Sequence, residues 1–210
     1  MNEDDSIFAS IFRGRKWGGE ESVSGPGSDL INTRRVLREL PELLHRLSIE
    51  SLVDAPCGDM NWMRHLDYRW RSFLGVDIVP EIIAALRAQA WPAEFHFQVG
   101  DLVKDILPLA DAVLCRDCFV HLPFSSIENA VRLFRRAGFR FLITTTFSRR
   151  QTNHDSVAGD WRPLNMALGP FFWGEPLLLL PEREPGDGYE FPDKSLGVWS
   201  LGQLNARRSA

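Results

Sequence analysis

The sequence predicts an α/β fold, a doubly wound and mainly parallel sheet with helices on both faces. Between Ser51 and Phe147, short apolar runs alternate with amphipathic stretches, the pattern of strands joined by helical crossovers. The runs "SLVDA", "FLGVDIV" and "DAVLC" are close to continuously apolar, as strands covered on both faces are. Asp54, Asp77, Asp101 and Asp117 each fall at or just beyond the end of such a run. In doubly wound sheets ligands bind beyond the carboxyl ends of the strands, so this acid-lined edge is the expected site.

The chain opens on "MNEDD", acidic where a signal or transit peptide is basic, so export is not expected. "WGGEESVSGPGS", Trp17 to Ser28, is a loop by composition. In "SDLINTRRVLRELPELLHRL", Leu30, Leu37, Leu40, Leu44 and Leu47 recur at helical spacing, and Ser28 or Asp29 can cap the start. Pro41 is expected to kink this helix or to open a second one. Strand "SLVDA", amphipathic "WMRHLDYRW", strand "FLGVDIV" and helix "PEIIAALRAQA" follow, then strand "EFHFQVGD", strand "DAVLCRD", helix "SSIENAVRLFRRAG" and strand "FRFLITTTF". Beyond Ser148 the chain turns polar and aromatic, and Pro163, Pro170 and Pro176 break any long element. "PLLLLPE" and "SLGVWSL" read as two closing strands around the surface loop "EREPGDGYEFPDK". Residues 1–210 therefore read as one domain, with an N-terminal loop and helical cap (1–48), a core (49–148) and C-terminal loops with closing strands (149–210).

Composition narrows the function. A net charge of −4 and a pI near 5.8 give no general attraction to nucleic acid or anionic membranes, so neither is an expected partner. The apolar runs Leu177 to Leu180 and Phe139 to Ile143 are far shorter than the roughly 20 residues of a membrane helix. Three cysteines, Cys57, Cys115 and Cys118, make no disulfide framework and fit a reducing cytoplasm. Cys115 and Cys118 form a C-x-x-C with no second pair, and the histidines are scattered, so no metal is expected and the thiols read as core or pocket lining. The oligomeric state does not follow from the sequence.

Each acid alone is also what strand ends and helix caps commonly carry. Together they suit a ribose-bearing ligand, because a carboxylate about 20 residues beyond the first turn accepts from ribose hydroxyls, and Asp77 stands at that interval from Asp54. The turn "APCGD" brings backbone N–H groups toward the ligand, but it lacks the G-x-G-x-x-G that a pyrophosphate requires. A nucleoside without phosphates fits better, and a dehydrogenase is disfavoured.

In order and spacing, "LVDAPCGDMNW", "FLGVDIVPEII", "FQVGDL" and "DAVLCRDCFVHL" resemble the successive motifs of class I methyltransferases that use S-adenosylmethionine. The likeness spans Ser51 to Phe147. With the flanks "SGPGS", "GDWRPLN" and "DKSLG", the chain resembles a small, mostly bacterial branch of that superfamily. The resemblance implies a seven-stranded Rossmann-like sheet with S-adenosylmethionine as cofactor. It implies that Asp54, Pro56, Cys57 and Gly58 hold the methionine moiety, Asp77 the ribose and Ile78 the adenine, that Asp101 and Leu102 contact the adenine, and that Cys115 and Arg116 floor the methionine. The sequence departs from the family's glycine triplet, with Pro56, Gly58 and Met60 in its place, so Met60 puts a bulky side chain where close backbone approach is expected.

Methyl transfer is an in-line displacement, so the protein must align the acceptor and, for a hydroxyl, take up a proton. His121 is the expected general base, with Asp117, four residues earlier, orienting it or the substrate; the alternative is that His121 only fills a helix junction. Ser24, Gly25 and Ser28 could present hydroxyl and N–H groups to an anion. Trp161, Arg162 and Asn165 of "GDWRPLN" are expected at the acceptor site, as loop residues able to make directed contacts, or else they pin the C-terminal lobe. The predicted activity is O-methylation of a small polar acceptor, a sugar or related metabolite. The alternatives are an RNA or protein methyltransferase and a non-catalytic cofactor-binding scaffold.

Overall fold

The structure, a computed structural model, describes residues 3–204; the outermost residues assigned to the two flanking segments lie outside it. Four α-helices, α1 (Glu3–Arg13), α2 (Leu30–Arg46), α3 (Pro80–Arg87) and α4 (Phe124–Ala137), surround one sheet. Its strands are β1 (Ser51–Asp54), β2 (Ser72–Asp77), β3 (Phe95–Val99), β4 (Ala112–Cys115), β5 (Phe141–Phe147), β6 (Leu178–Pro181) and β7 (Lys194–Ser200). They lie in the order β3-β2-β1-β4-β5-β7-β6. β1 to β5 are parallel, and β7 runs antiparallel between β5 and β6, so the sheet is mixed and mainly parallel, with both closing strands where the sequence predicts them. Among the described residues no helix is long and apolar enough to cross a membrane.

Alternation along the strands builds two cores. Leu52, Ala112, Leu114 and Ile143 pack in one cluster with Val36, Leu40 and Leu44 of α2 and Ile83 and Leu86 of α3. Val53, Val113, Cys115 and Leu142 pack in the other with Ile127, Ala130 and Phe134 of α4. Burial of each large side chain contributes about 1.5–3 kcal/mol, which fixes the sheet between its helices and its acid-bearing edge in space.

Of the two readings of Pro41, a second helix does not form: α2 runs unbroken from Leu30 to Arg46 with Pro41 inside it. Val36, Leu40 and Leu44 on its buried face hold it against the sheet across the missing N–H, so packing outweighs the local penalty. "WMRHLDYRW" forms no α-helix, only a 3-10 turn over Met63–His65. The Tyr68 hydroxyl donates to the Ile49 carbonyl at 2.6 Å, and its ring lies 4.6 Å from that of Trp70, drawing the segment down over the sheet.

Candidate active site

Beyond the carboxyl ends of β1, β2 and β4 lies a cavity of about 440 Å³. Asp54, Pro56, Cys57, Gly58, Asp77, Ile78, Asp101, Leu102 and Arg116 line it, with Asp117, His121, Ser24, Gly25, Ser28 and Trp161. The structure thus brings together most of the residues singled out from sequence.

The turn after β1 is tied to β2 through its backbone. Cys57 N–H donates to the Val76 carbonyl at 2.8 Å, and Gly58 N–H donates to Asp77 Oδ2 at 3.0 Å. Asp77 Oδ1 accepts from Val79 N–H at 2.9 Å, so one carboxylate organises both turns. Gly58 has φ +53°, and a Cβ there would stand 2.2 Å from Ser24 Oγ, so only glycine fits. The N-terminal loop is stitched onto the same turn by Asp59, which accepts from Ser22 Oγ at 2.9 Å and Val23 N–H at 2.9 Å. Those donors are therefore taken by a protein carboxylate. Met60 does not obstruct the turn: it is 1% exposed, lies in the core and is absent from the cavity wall.

Burial pushes the Asp77 carboxyl up to about 6 against the pull of its N–H donors. Burial likewise raises the Asp54 carboxyl well above the usual carboxylate range, with Arg116 opposing. Asp54 is 3% exposed, and among the described residues its carboxylate has no hydrogen-bond partner. It is a buried acid facing the cavity.

Along the Arg116 side of the cavity runs a chain of alternating charges. Arg116 Nη2 donates to Glu182 Oε2 at 2.6 Å and to the Gly27 carbonyl at 2.8 Å. Lys194 Nζ donates to Asp117 Oδ2 at 2.5 Å and lies 3.3 Å from Glu182. Arg116 Nη1 is 3.4 Å from Asp117, and Thr145 Oγ1 donates to Asp117 Oδ1 at 3.2 Å. Lys194 and Arg116 hold the Asp117 carboxyl well below the usual carboxylate range despite its burial.

These bonds alter the expected Asp117–His121 relation. Asp117 has φ +51°, and Phe119–His121 is a 3-10 turn, so helical spacing does not join the two residues. His121 Nδ1 is buried without a partner, and the ring lies 5.2 Å from that of Trp17. Asp117 acts on His121 through its charge, while burial holds the imidazole below its ordinary value.

Three residues stand apart from the cavity. Cys115 is fully buried in the core cluster that holds Val53, Ala55 and Val113. Arg162 donates to the carbonyls of Phe119 (3.1 Å), Val120 (2.9 Å) and Leu122, closing the end of the turn that carries His121. The Asn165 amide donates to the carbonyls of Ser148 (3.2 Å) and Arg150 (3.1 Å) and pins the loop after β5. Both are structural ties, the alternative left open from sequence.

The sequence reading missed other residues on the wall. Phe8 and Phe12 of α1 and the following Lys16 and Trp17 cover it, and Trp62, Phe147, Tyr189 and Lys194 also line it. The signal for α1 lay in "SIFASIF", where Ile7, Phe8, Ile11 and Phe12 repeat at helical spacing. Lys194 stood in the quoted "DKSLG" with no role assigned.

A mainly parallel seven-stranded sheet thus carries its acid-lined cavity beyond the carboxyl ends of the strands, where open α/β sheets bind ligands. Residues 52–138 match the family model of a methyltransferase domain. No curated protein matches the sequence. The fold is similar to that of human N-acetylserotonin methyltransferase, solved in complex with SAM (16% identity, TM-score 0.57, 77% of this chain and 51% of that one). The chain thus spans about half the length of the human enzyme. It is also similar to the methyltransferase domain of the bacterial protein CtHen1 (16% identity, TM-score 0.60, 82% of this chain and 100% of that one). A third similar fold is magnesium protoporphyrin IX methyltransferase from Synechocystis PCC 6803 with bound SAH (19% identity, TM-score 0.52, 70% of this chain and 74% of that one).

Proposed function

We propose that the protein is an S-adenosylmethionine-dependent methyltransferase acting on the oxygen of a small polar acceptor. The observation that carries this reading is Asp54, a buried carboxylate without a hydrogen-bond partner at the wall of the cavity. S-adenosylmethionine suits it by bringing an ammonium donor and a sulfonium charge. Asp54 would hold the amino group, Asp77 the ribose, and Ile78, Asp101 and Leu102 the base. When bound, the cofactor supplies a methyl group already activated on sulfur.

The remaining work belongs to the chain. His121, held neutral by burial, can take the acceptor's hydroxyl proton. Asp117 is held by Lys194 and Arg116, and it places negative charge near the imidazolium that forms. A volume of 440 Å³ lies toward the lower end of the roughly 300–1,000 Å³ of ligand sites, which favours a small acceptor over a macromolecule. The net charge of −4 likewise weighs against RNA. Free buried cysteines suit a cytoplasmic protein.

Calorimetric titration with S-adenosylmethionine and S-adenosylhomocysteine tests the proposal. Wild type is expected to bind both, and Asp77→Ala neither; a folded wild type that binds neither ligand overturns it. The cofactor's donors interact with the ionised acids, so protonation of Asp77 opposes binding. Affinity for S-adenosylhomocysteine should therefore weaken as pH falls below about 6, by up to about tenfold per pH unit for each proton taken up. Folding has the same sign of proton linkage as any raised acid: the free protein loses stability from this group as pH rises from about 4 through about 6.

A further inference from the structure

We propose that the acceptor is a phenol, methylated on its ring hydroxyl and seated against Trp161 and Tyr189 at the mouth of the cavity. This rests on the methyltransferase reading above.

Large aromatic side chains are normally buried, yet Trp161 and Tyr189 are 45% and 39% exposed, and both line the cavity. Neither ring is loose. Trp161 lies 5.0 Å from the Phe191 ring and 5.9 Å, edge to face, from that of Phe147. Tyr189 lies 6.4 Å from Phe191, and the Arg183 guanidinium sits 3.3 Å over its ring. Two rings held from behind and open in front form a preorganised wall for a third. Phe8, Phe12, Trp17 and Phe147 continue that wall inward to His121.

The polar groups argue the same way. Asp117 and Lys194 at this end are bonded to each other and offer a sugar's hydroxyls little that is free. Each hydroxyl buried without a partner costs about 1–3 kcal/mol. A phenol carries a single hydroxyl to satisfy, and exposed Lys16 at the wall tolerates a negative substituent. The base fits as well, since an imidazole held low by burial is a weak acceptor, matched better to a phenolic proton, near 10, than to an aliphatic one. In the step, the phenolic oxygen's lone pair forms the new bond to the methyl carbon, the carbon–sulfur pair stays on sulfur as a thioether, and the proton passes to His121.

The test is turnover with S-adenosylmethionine on a panel of phenol, catechol, tyramine and 4-hydroxybenzoate against methyl glucoside, read as S-adenosylhomocysteine formed. At least one phenol should be methylated and the glucoside should not. For that phenol, Trp161→Ala should raise KM about tenfold with S-adenosylhomocysteine affinity unchanged, and Trp161→Phe, which keeps a ring, should restore most of it. Turnover of the glucoside alone, turnover of no phenol, or an unchanged KM in Trp161→Ala overturns the proposal while leaving cofactor binding intact. A wild type that does not bind S-adenosylhomocysteine removes the methyltransferase reading itself, and the titration distinguishes that failure from the others.

Discussion

Replacing Lys194 by methionine is expected to destabilise the folded protein by about 3–5 kcal/mol at pH 7, read as a lower urea midpoint. Lys194 is 4% exposed and sits between Asp117 and Glu182, at 2.5 Å and 3.3 Å. Its removal leaves Arg116 as the sole cation against two carboxylates in this buried network. The methylene stem is retained in methionine, so the change isolates charge from packing. The pH dependence supplies a second check. Asp117 is held below the ordinary carboxylate range, so its contribution is present above about 4 and is lost as pH falls. The gap between wild type and Lys194→Met should therefore shrink in acid. An unchanged midpoint at pH 7 would show that the network contributes nothing to stability.

His121→Ala is expected to lower kcat by about 10²–10⁴ while leaving the affinity for S-adenosylhomocysteine unchanged. The imidazole lines the cavity beside Trp17 and is not among the residues organising the turns after β1 and β2. Because burial lowers the His121 value, the wild-type rate should rise with pH below the ordinary histidine range and be flat by neutrality. If His121→Ala keeps wild-type turnover, another group takes the proton.

The strand-end acids were legible because a parallel sheet writes its edge into sequence: each apolar run stops where the ligand side begins, and Asp54, Asp77 and Asp101 mark those stops. Cys115 is the last residue of β4 and packs in the core, whereas Arg116, one residue beyond the strand, reaches the wall. Arg162 and Asn165 were beyond any local pattern. Both donate to backbone carbonyls, and three that Arg162 reaches, of Phe119, Val120 and Leu122, lie 40 to 43 residues away, brought near only by the fold. Met60 was judged by its position in the motif, whereas its backbone, at φ +60°, turns the side chain into the core.

Helix α1 crosses from one side of the cavity to the other. A Cβ on Gly159, two residues before Trp161, would stand 3.0 Å from Ile7 and 3.1 Å from Ile11, so the helix lies closely against that loop. At its far end Arg13 reaches Glu81 of α3 at 2.6 Å through an exposed pair that solvent screens. The roof of the cavity is therefore one helix held at both ends, which ties the loop that carries Trp161 to the helix that follows β2.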